Sequence, residues 1–283
     1  MSKQVILGID LGGTNQRAGL VKDGSLSSVI SQRINPGGAM EEILQELFNF
    51  IDPLINNEVI AIGIGVPGLV TAGIVYDVVN IPSWKELPLQ QLMEQRYRLP
   101  VLINNDANCF ALGEFYFGKG KGYDNMVGLT IGTGLGSGII INKKLYAGKN
   151  GGAGEFGMAA YLDKYYEYYA SGQFFQNVYG TNGELVFKKA EDGNAEAIRM
   201  YRELGTHLGN AIKMILYTLD IELIILGGSV RQAFPYFSND MWKQIQTFAY
   251  KRALHSFKIE VSELENSGIL GAAALHYDLK KNT

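Results

Sequence analysis

The chain has 283 residues but a single cysteine, Cys109, and three histidines, His207, His255 and His276, far apart in sequence. One cysteine excludes an intrachain disulfide framework and fits a reducing compartment. So few thiols and imidazoles argue against a His/Cys zinc site, and no zinc is expected. No stretch approaches the ~20 apolar residues of a membrane-spanning helix. The opening MSKQVILGID reaches Asp10 before its apolar run is long enough for a signal-peptide core. A soluble, cytoplasmic protein is expected. Lysine and arginine form no basic run, and the net charge is −3, so neither nucleic acid nor an anionic membrane is an expected partner. Charged residues are 19% of the chain and hydrophobic residues 47%, the balance of a globular rather than a disordered protein. The length suggests two domains of ordinary size.

Glycine is the residue in surplus, at 35 of 283. Many glycines directly follow apolar runs, where a backbone turn must approach something closely. VILGID (5–10) and RAGLVK (17–22) flank the turn GGTNQ, and SLSSVISQRI follows Asp23–Gly24, so the chain is predicted to open in antiparallel strands. The apolar spacing in 41–55 predicts a helix, and VIAIGIGV (59–66) a buried strand. A helix over 88–98, a strand over 100–105 and a helix over 106–118 follow, with Asp106 expected at the N-cap. The second half repeats the plan with strand, glycine turn and strand over 125–146. A long helix over 194–219, strands at 221–228 and in SFKIEVSEL, and a last helix over 268–279 complete it. Displaced by 120 residues, VGLTIGTGLGSGIII falls on LGIDLGGTNQRAGLV, Gly8 on Gly128 and Gly12 on Gly132. Two related α/β domains with a cleft between them are expected.

DLGGTN (10–15) and IGTGLGSG (131–138) share a physical logic. Glycines let backbone N–H groups converge without an intervening Cβ, and threonine adds a hydroxyl, as in turns that cradle phosphate. Neither is a P-loop or a Rossmann fingerprint. Each alone is equally a tight hairpin, but two at equivalent places favour phosphate. Asp10, at a strand end beside the first turn, suits a hydrated Mg²⁺.

Together IDLGGTN, GVPG, NNDAN, IGTGLGSG, GEFG, LGG and GILGAA stand in the order and approximate spacing of the ROK family (repressors, open reading frames and sugar kinases), which the chain resembles from about residue 5 to 276. The resemblance implies an α/β fold of duplicated ribonuclease-H-like domains, of the actin/hexokinase ATPase type, with an interdomain cleft. In that fold residues 1–107 with 269–283 would form the smaller domain and 108–268 the larger. It implies ATP- and Mg²⁺-dependent phosphorylation of a hexose, glucose or a close relative, at the 6-OH. Asp106 would be the general base, a role that suits a carboxylate facing a poorly nucleophilic hydroxyl. An ordinary helix cap is the other reading of that aspartate, and both can hold at once. The resemblance further places Asn105, Gly68 of GVPG and Asn80 of NIPSW on the sugar, a simple turn being the alternative for Asn80. Gly12, Gly13, Thr14, Asn15, Gly132, Thr133 and Gly134 would face phosphate, and Gly227 and Gly228 the adenosine.

Residues 151–172, GGAGEFGMAAYLDKYYEYYASG, hold two lightly neutralised glutamates, Glu155 and Glu167. Read alone, they belong to a solvated loop, to a subunit contact in which tyrosine is enriched, or to a ligand rich in hydroxyls. GEFG resembles the family's GExGH and YEYYASG the end of its cysteine-rich segment, which puts both glutamates on the sugar. The departures are Met158 in place of the family's histidine and the absence of its zinc-ligand cysteines. Tyr161, Tyr165, Tyr166, Tyr168 and Tyr169 are expected to pack where the zinc loop would be, or to face a second subunit, and a homodimer is expected. The rival class is a non-catalytic, sugar-binding regulator of the same family. Family repressors carry an added helix-turn-helix, for which a strand beginning at residue 5 leaves no room. The retained phosphate turns also favour an enzyme.

Overall fold

The computed structural model describes residues 4–12 and 15–280. By their contacts these divide into two compact units, the first comprising the described residues within 1–124, 138–153 and 263–283 and the second 125–137 and 154–262.

The first unit is built on strands whose sequence is apolar enough to be buried on both faces. β1 (Val5–Leu11) and β4 (Val59–Val66) are almost wholly buried and pair in parallel. β2 (Asn15–Lys22) and β3 (Ser25–Arg33) are antiparallel hairpin partners. Their turn, Asp23–Gly24, has positive φ at both residues (51° and 79°), the geometry for which Asp-Gly is suited. Helix α1 (Met40–Ile51) buries Ile43, Leu47, Phe50 and Ile51 along one stripe. The Glu42 carboxylate accepts the Ala39 N–H at 3.0 Å and ties down its first turn. A small meander of β5 (Leu69–Thr71), β6 (Ile74–Tyr76) and β7 (Glu86–Leu87) leads to α2 (Leu89–Tyr97), β8 (Val101–Asn105) and α3 (Asp106–Phe117). The five-stranded sheet has the order β3-β2-β1-β4-β8.

The second sheet begins with β9 (Met126–Ile131), β10 (Leu135–Ile141) and β11 (Lys144–Leu145). A hairpin of β12 (Ala160–Tyr161) and β13 (Lys164–Tyr165) precedes four helices, α4 (Tyr166–Ala170), α5 (Phe174–Tyr179), α6 (Gly183–Glu191) and α7 (Ala195–Leu219). Strand β14 (Leu223–Gly227), helix α8 (Phe234–Ile245) and strand β15 (Lys258–Val261) complete the unit. The second sheet has the order β11-β10-β9-β14-β15, with β9, β14 and β15 parallel. Numbered within each half, both sheets read 3-2-1-4-5. The duplication expected from sequence is therefore present as topology, and the α/β class of two ribonuclease-H-like halves is the one observed.

Helix α9 (Ser267–Lys280) returns to the first unit and covers the second face of its sheet, where Ile269, Leu270 and Ala273 pack with Ile6, Val21 and Ala61. It also packs on α3 at backbone distance, because a Cβ on Gly271 would collide with the Cys109 carbonyl. This packing puts α3 in the first unit, whereas a boundary at 107/108 would have assigned it to the second. No helix of the described residues is long and apolar enough to cross a membrane.

Candidate functional site

Parallel pairing in the first unit brings three sequence-distant residues to one end of the sheet. Asp10 stands opposite Gly65, Gly65 opposite Asn104, and Val66 opposite Asn105. The GVPG loop and the start of α3 therefore lie beside the end of β1. Asn105, not Asp106, is the N-cap: its Oδ1 accepts the Ala107 N–H at 2.9 Å, and its extended backbone (ψ 146°) keeps it outside the helix. This corrects the expected cap by one position. Asp106 becomes the first helical residue, and its Oδ1 also accepts the Ala107 N–H at 2.9 Å. The helix N-terminus favours its charged form in either position. The other end of the Asn105 amide donates to the Gly68 carbonyl at 3.2 Å, so the sugar-loop candidate is fastened to the candidate base. Val79 donates to the Pro67 carbonyl, which holds the turn bearing Asn80 against the same loop.

Cys109 is buried, as its packing role requires, and burial pushes its thiol pKa well up. The charges of Asp106 and Asp10 raise it further, so both carboxylates lie around this one sulfur. Asp10 is itself raised above the ordinary carboxylate value by burial, against the pull of Arg17, its cross-strand partner. Its carboxylate faces the start of α9, where a Cβ on Gly268 would lie 2.5 Å from Oδ2. Gly12 donates to the Asn15 carbonyl at 2.9 Å, closing the first glycine turn. Gly13 and Thr14, expected in that turn, lie outside the described residues.

The second unit carries the equivalent turn. Gly132 donates to the Gly134 carbonyl at 3.0 Å, and the Gly132 carbonyl accepts the Gly172 N–H at 2.7 Å. At the end of this turn the Glu167 Oε2 accepts the Leu135 N–H at 2.8 Å. A candidate sugar ligand and a candidate phosphate turn are thus one hydrogen-bonded piece. Gly134 faces that carboxylate, since a Cβ there would lie 2.5 Å from Glu167 Oε2, whereas a Cβ on Gly132 would meet nothing within 4 Å. Glu155 is held above the ordinary carboxylate range, first by burial and then by the charge of Glu167, which places the two glutamates together. Met158 is 57% exposed.

A cavity of about 710 Å³ opens within the second unit. Gly132 and Thr133 line one part of it, Ser229 and Val230 another, and Phe175, Phe187 and Tyr201 supply apolar walls. Gly227 ends β14 opposite Thr130. Gly228 (φ 78°) turns the chain where a Cβ would collide with the Ile131 carbonyl, and its own carbonyl accepts an Arg231 N–H at 2.8 Å. Volume and lining suit a nucleoside with its phosphates at the glycine turn. The aromatic walls and Asn182 of this cavity were not anticipated from the sequence. Phe175 and Phe187 sit on short helices whose only local signal is the N-cap Asn182, which accepts the Glu184 N–H at 2.8 Å, whereas Tyr201 is on the long α7. Among the described residues no group of three or more His, Cys, Asp or Glu is placed to hold a metal ion.

The chain is 26% identical to a glucokinase of Thermotoga maritima, over 97% of its own length and 98% of the relative's. It superimposes with a TM-score of 0.78 on a ROK family glucokinase of Streptomyces griseus solved with glucose and AMPPNP, at 29% identity and covering 96% and 98% of the two chains. It is also 29% identical to the xylose repressor of Bacillus subtilis, over 77% of this chain and 61% of that one. The model of the ROK family matches residues 6–278, and the chain belongs to that family.

Proposed function

We propose that this protein phosphorylates a hexose, glucose or a close relative, at its 6-OH, using ATP and Mg²⁺, with Asp106 as general base. The observation that carries the reading is the Glu167–Leu135 hydrogen bond, because it ties a hydroxyl-accepting carboxylate to the end of a phosphate turn. A site for a sugar alone has no need of that turn.

Gly68, Asn80, Asn105, Glu155 and Glu167 are assigned to the sugar, the carboxylates accepting from vicinal hydroxyls. Asp106, fixed at the start of α3, orients the acceptor hydroxyl and takes its proton as the hydroxyl oxygen bonds to the γ-phosphorus and the bridging β–γ P–O bond breaks, with ADP leaving. Gly12 and Asn15 of the first turn, with Gly13 and Thr14 beside them, and Gly132, Thr133 and Gly134 of the second are assigned to phosphate. Gly227 and Gly228 leave room for the adenosine. ATP supplies the phosphoryl group, and Mg²⁺ neutralises charge that develops during its transfer. Asp10 would hold the cation through water, and a cation there offsets the burial that otherwise drives this carboxylate towards its protonated form.

ADP release measured over a panel of hexoses tests the reading. At least one hexose is expected to be phosphorylated, and Asp106→Asn should lower that rate by roughly 10²–10⁴-fold while sugar affinity persists. Near-wild-type turnover in Asp106→Asn removes the aspartate from the chemistry. Sugar binding with no ADP released from any hexose would instead support the regulator reading, which the repressor relative also favours.

A further inference from the structure

We propose that His207 is a positioning residue for sugar binding: it anchors the tyrosine cluster around helix α4 and thereby fixes the Glu167 carboxylate. The inference rests on the assignment of Glu167 to the sugar made above.

Helix α4 has five residues, and no side chain caps its N-terminus. A helix this short has no stability of its own and must be held by tertiary contacts. Backbone and side-chain hydrogen bonds to Ala159 and Asn177 hold one side of it, and its aromatic contacts converge on one imidazole. Tyr166 of α4 stacks on Tyr161 of the preceding hairpin, with centroids 4.3 Å apart and planes at 13°. The rings of Tyr161 and Tyr169 lie 5.7 and 5.1 Å from the His207 ring, and Phe174 of α5 lies 5.7 Å from it. Glu167 sits between these tyrosines in sequence, and its Oε2 reaches the Leu135 amide.

The surroundings of the histidine favour its neutral form. Asn210 Nδ2 can only donate, so the Tyr161 hydroxyl accepts from it at 3.0 Å. The Tyr161 oxygen also lies 3.1 Å from His207 Nδ1, where its proton is donated when Nδ1 is unprotonated. Burial disfavours the charged ring, and in the neutral tautomer that accepts from Tyr161 the proton sits on Nε2, which faces Glu203 Oε1 at 4.0 Å. The other Glu203 oxygen accepts the Tyr179 hydroxyl at 2.5 Å. Burial lowers the His207 pKa and Glu203 raises it, with burial the larger effect. The remaining groups around the ring are the phenols of Tyr161 and Tyr169, the latter bonded to Asp163. Protonation would put a proton on Nδ1, reverse the Tyr161–His207 hydrogen bond and deprive the Tyr161 proton of this acceptor. Sugar affinity should therefore fall as pH drops below the ordinary histidine range.

The Leu135 amide reports on Glu167 without any sugar. In full-length His207→Phe, which keeps a ring but loses the acceptor, its hydrogen exchange should speed up about tenfold, as expected when one hydrogen-bonded anchor is lost. KM for the hexose that the wild type phosphorylates should rise about tenfold with kcat moved far less. The part of the acid limb in KM that belongs to His207 should disappear, leaving the part set by protonation of the sugar-binding carboxylates. His207→Gln, which restores an acceptor, should recover most of both effects. Tyr161→Phe, which removes only the hydroxyl, should reproduce the defect if His207→Phe does not fold. A loss of thermal stability alone, with wild-type exchange and KM, overturns the proposal, and so does faster exchange with unchanged KM. If the wild type phosphorylates no hexose, it is the proposed function that fails, and Leu135 exchange alone then decides the anchoring.

Discussion

Glu155 is exposed as a residue but stands beside Glu167, and both the partial desolvation of its carboxylate and that neighbouring charge disfavour its ionised form. A carboxylate kept in such a place costs stability. Its folded pKa lies above the unfolded one, so the cost is fully present at pH above the folded value and disappears below the unfolded value. Glu155→Gln should therefore raise Tm at neutral pH by roughly 1–3 °C, and the gain should fade on acidification. The same substitution should raise KM for the sugar, because a neutral amide is a weaker acceptor than a carboxylate. Thermal melts at two pH values, with steady-state kinetics, check both. A lower Tm in the amide variant would mean that Glu155 has a stabilising partner in the free protein. At this scale the sequence was informative wherever a residue type suffices: Asn105, Asp106 and Asp10 stand at strand or helix ends, as read. What it lacked was orientation. That Glu167 spends an oxygen on Leu135, and that Asn105 rather than Asp106 caps α3, depend on partners distant in sequence or on one ψ angle.

The glycine turn between β9 and β10 shows the same limit for an element. Its composition announces close backbone approach, but not which glycine faces the ligand. The structure separates them. Gly134 abuts Glu167, while a Cβ on Gly132 points into open space at the mouth of the cavity. Gly132→Val should therefore raise the Kd for an ATP analogue by roughly 10–100-fold, the steric cost of an overfilled contact being about 1–3 kcal/mol. Sugar binding without nucleotide should be unchanged. Gly134→Val should instead damage both, by displacing the Glu167 carboxylate. Calorimetric titrations of the two variants distinguish these outcomes, and equal damage to sugar binding in both would refute the division. The longest periodic element was legible: α7 was expected over 194–219 and spans Ala195–Leu219, although α8 (Phe234–Ile245) was not anticipated. Helices α4, α5 and α6 were not, since segments of five to nine residues offer too few turns for a period to show. The aromatic walls of the nucleotide cavity come largely from that unread stretch, so the cavity was hidden with them.

Across the whole chain, a repeat visible only as two glycine turns in register proved to be two sheets of the same strand order. Each half needs the same buried parallel strands and the same turn, and those constraints survive where residue identity does not. The halves differ in what was added to the second. There the segment bearing Glu167 is held by stacked and edge-on rings around His207, with the Tyr161–His207 and Asn210–Tyr161 hydrogen bonds closing the set. Aromatic pairs of this kind contribute about 0.5–1.5 kcal/mol each beyond burial, so a few of them suffice to order a short loop. A structural zinc ion would make stability depend on chelator, because metal binding is then part of the folding free energy. Zinc independence is expected instead. Dialysis of the purified protein against a strong chelator should leave Tm unchanged, metal analysis should find no stoichiometric zinc, and activity should return in full once Mg²⁺ alone is restored. A Tm that falls by many degrees on chelation and recovers with zinc would show that the tyrosine cluster does not hold Glu167 unaided.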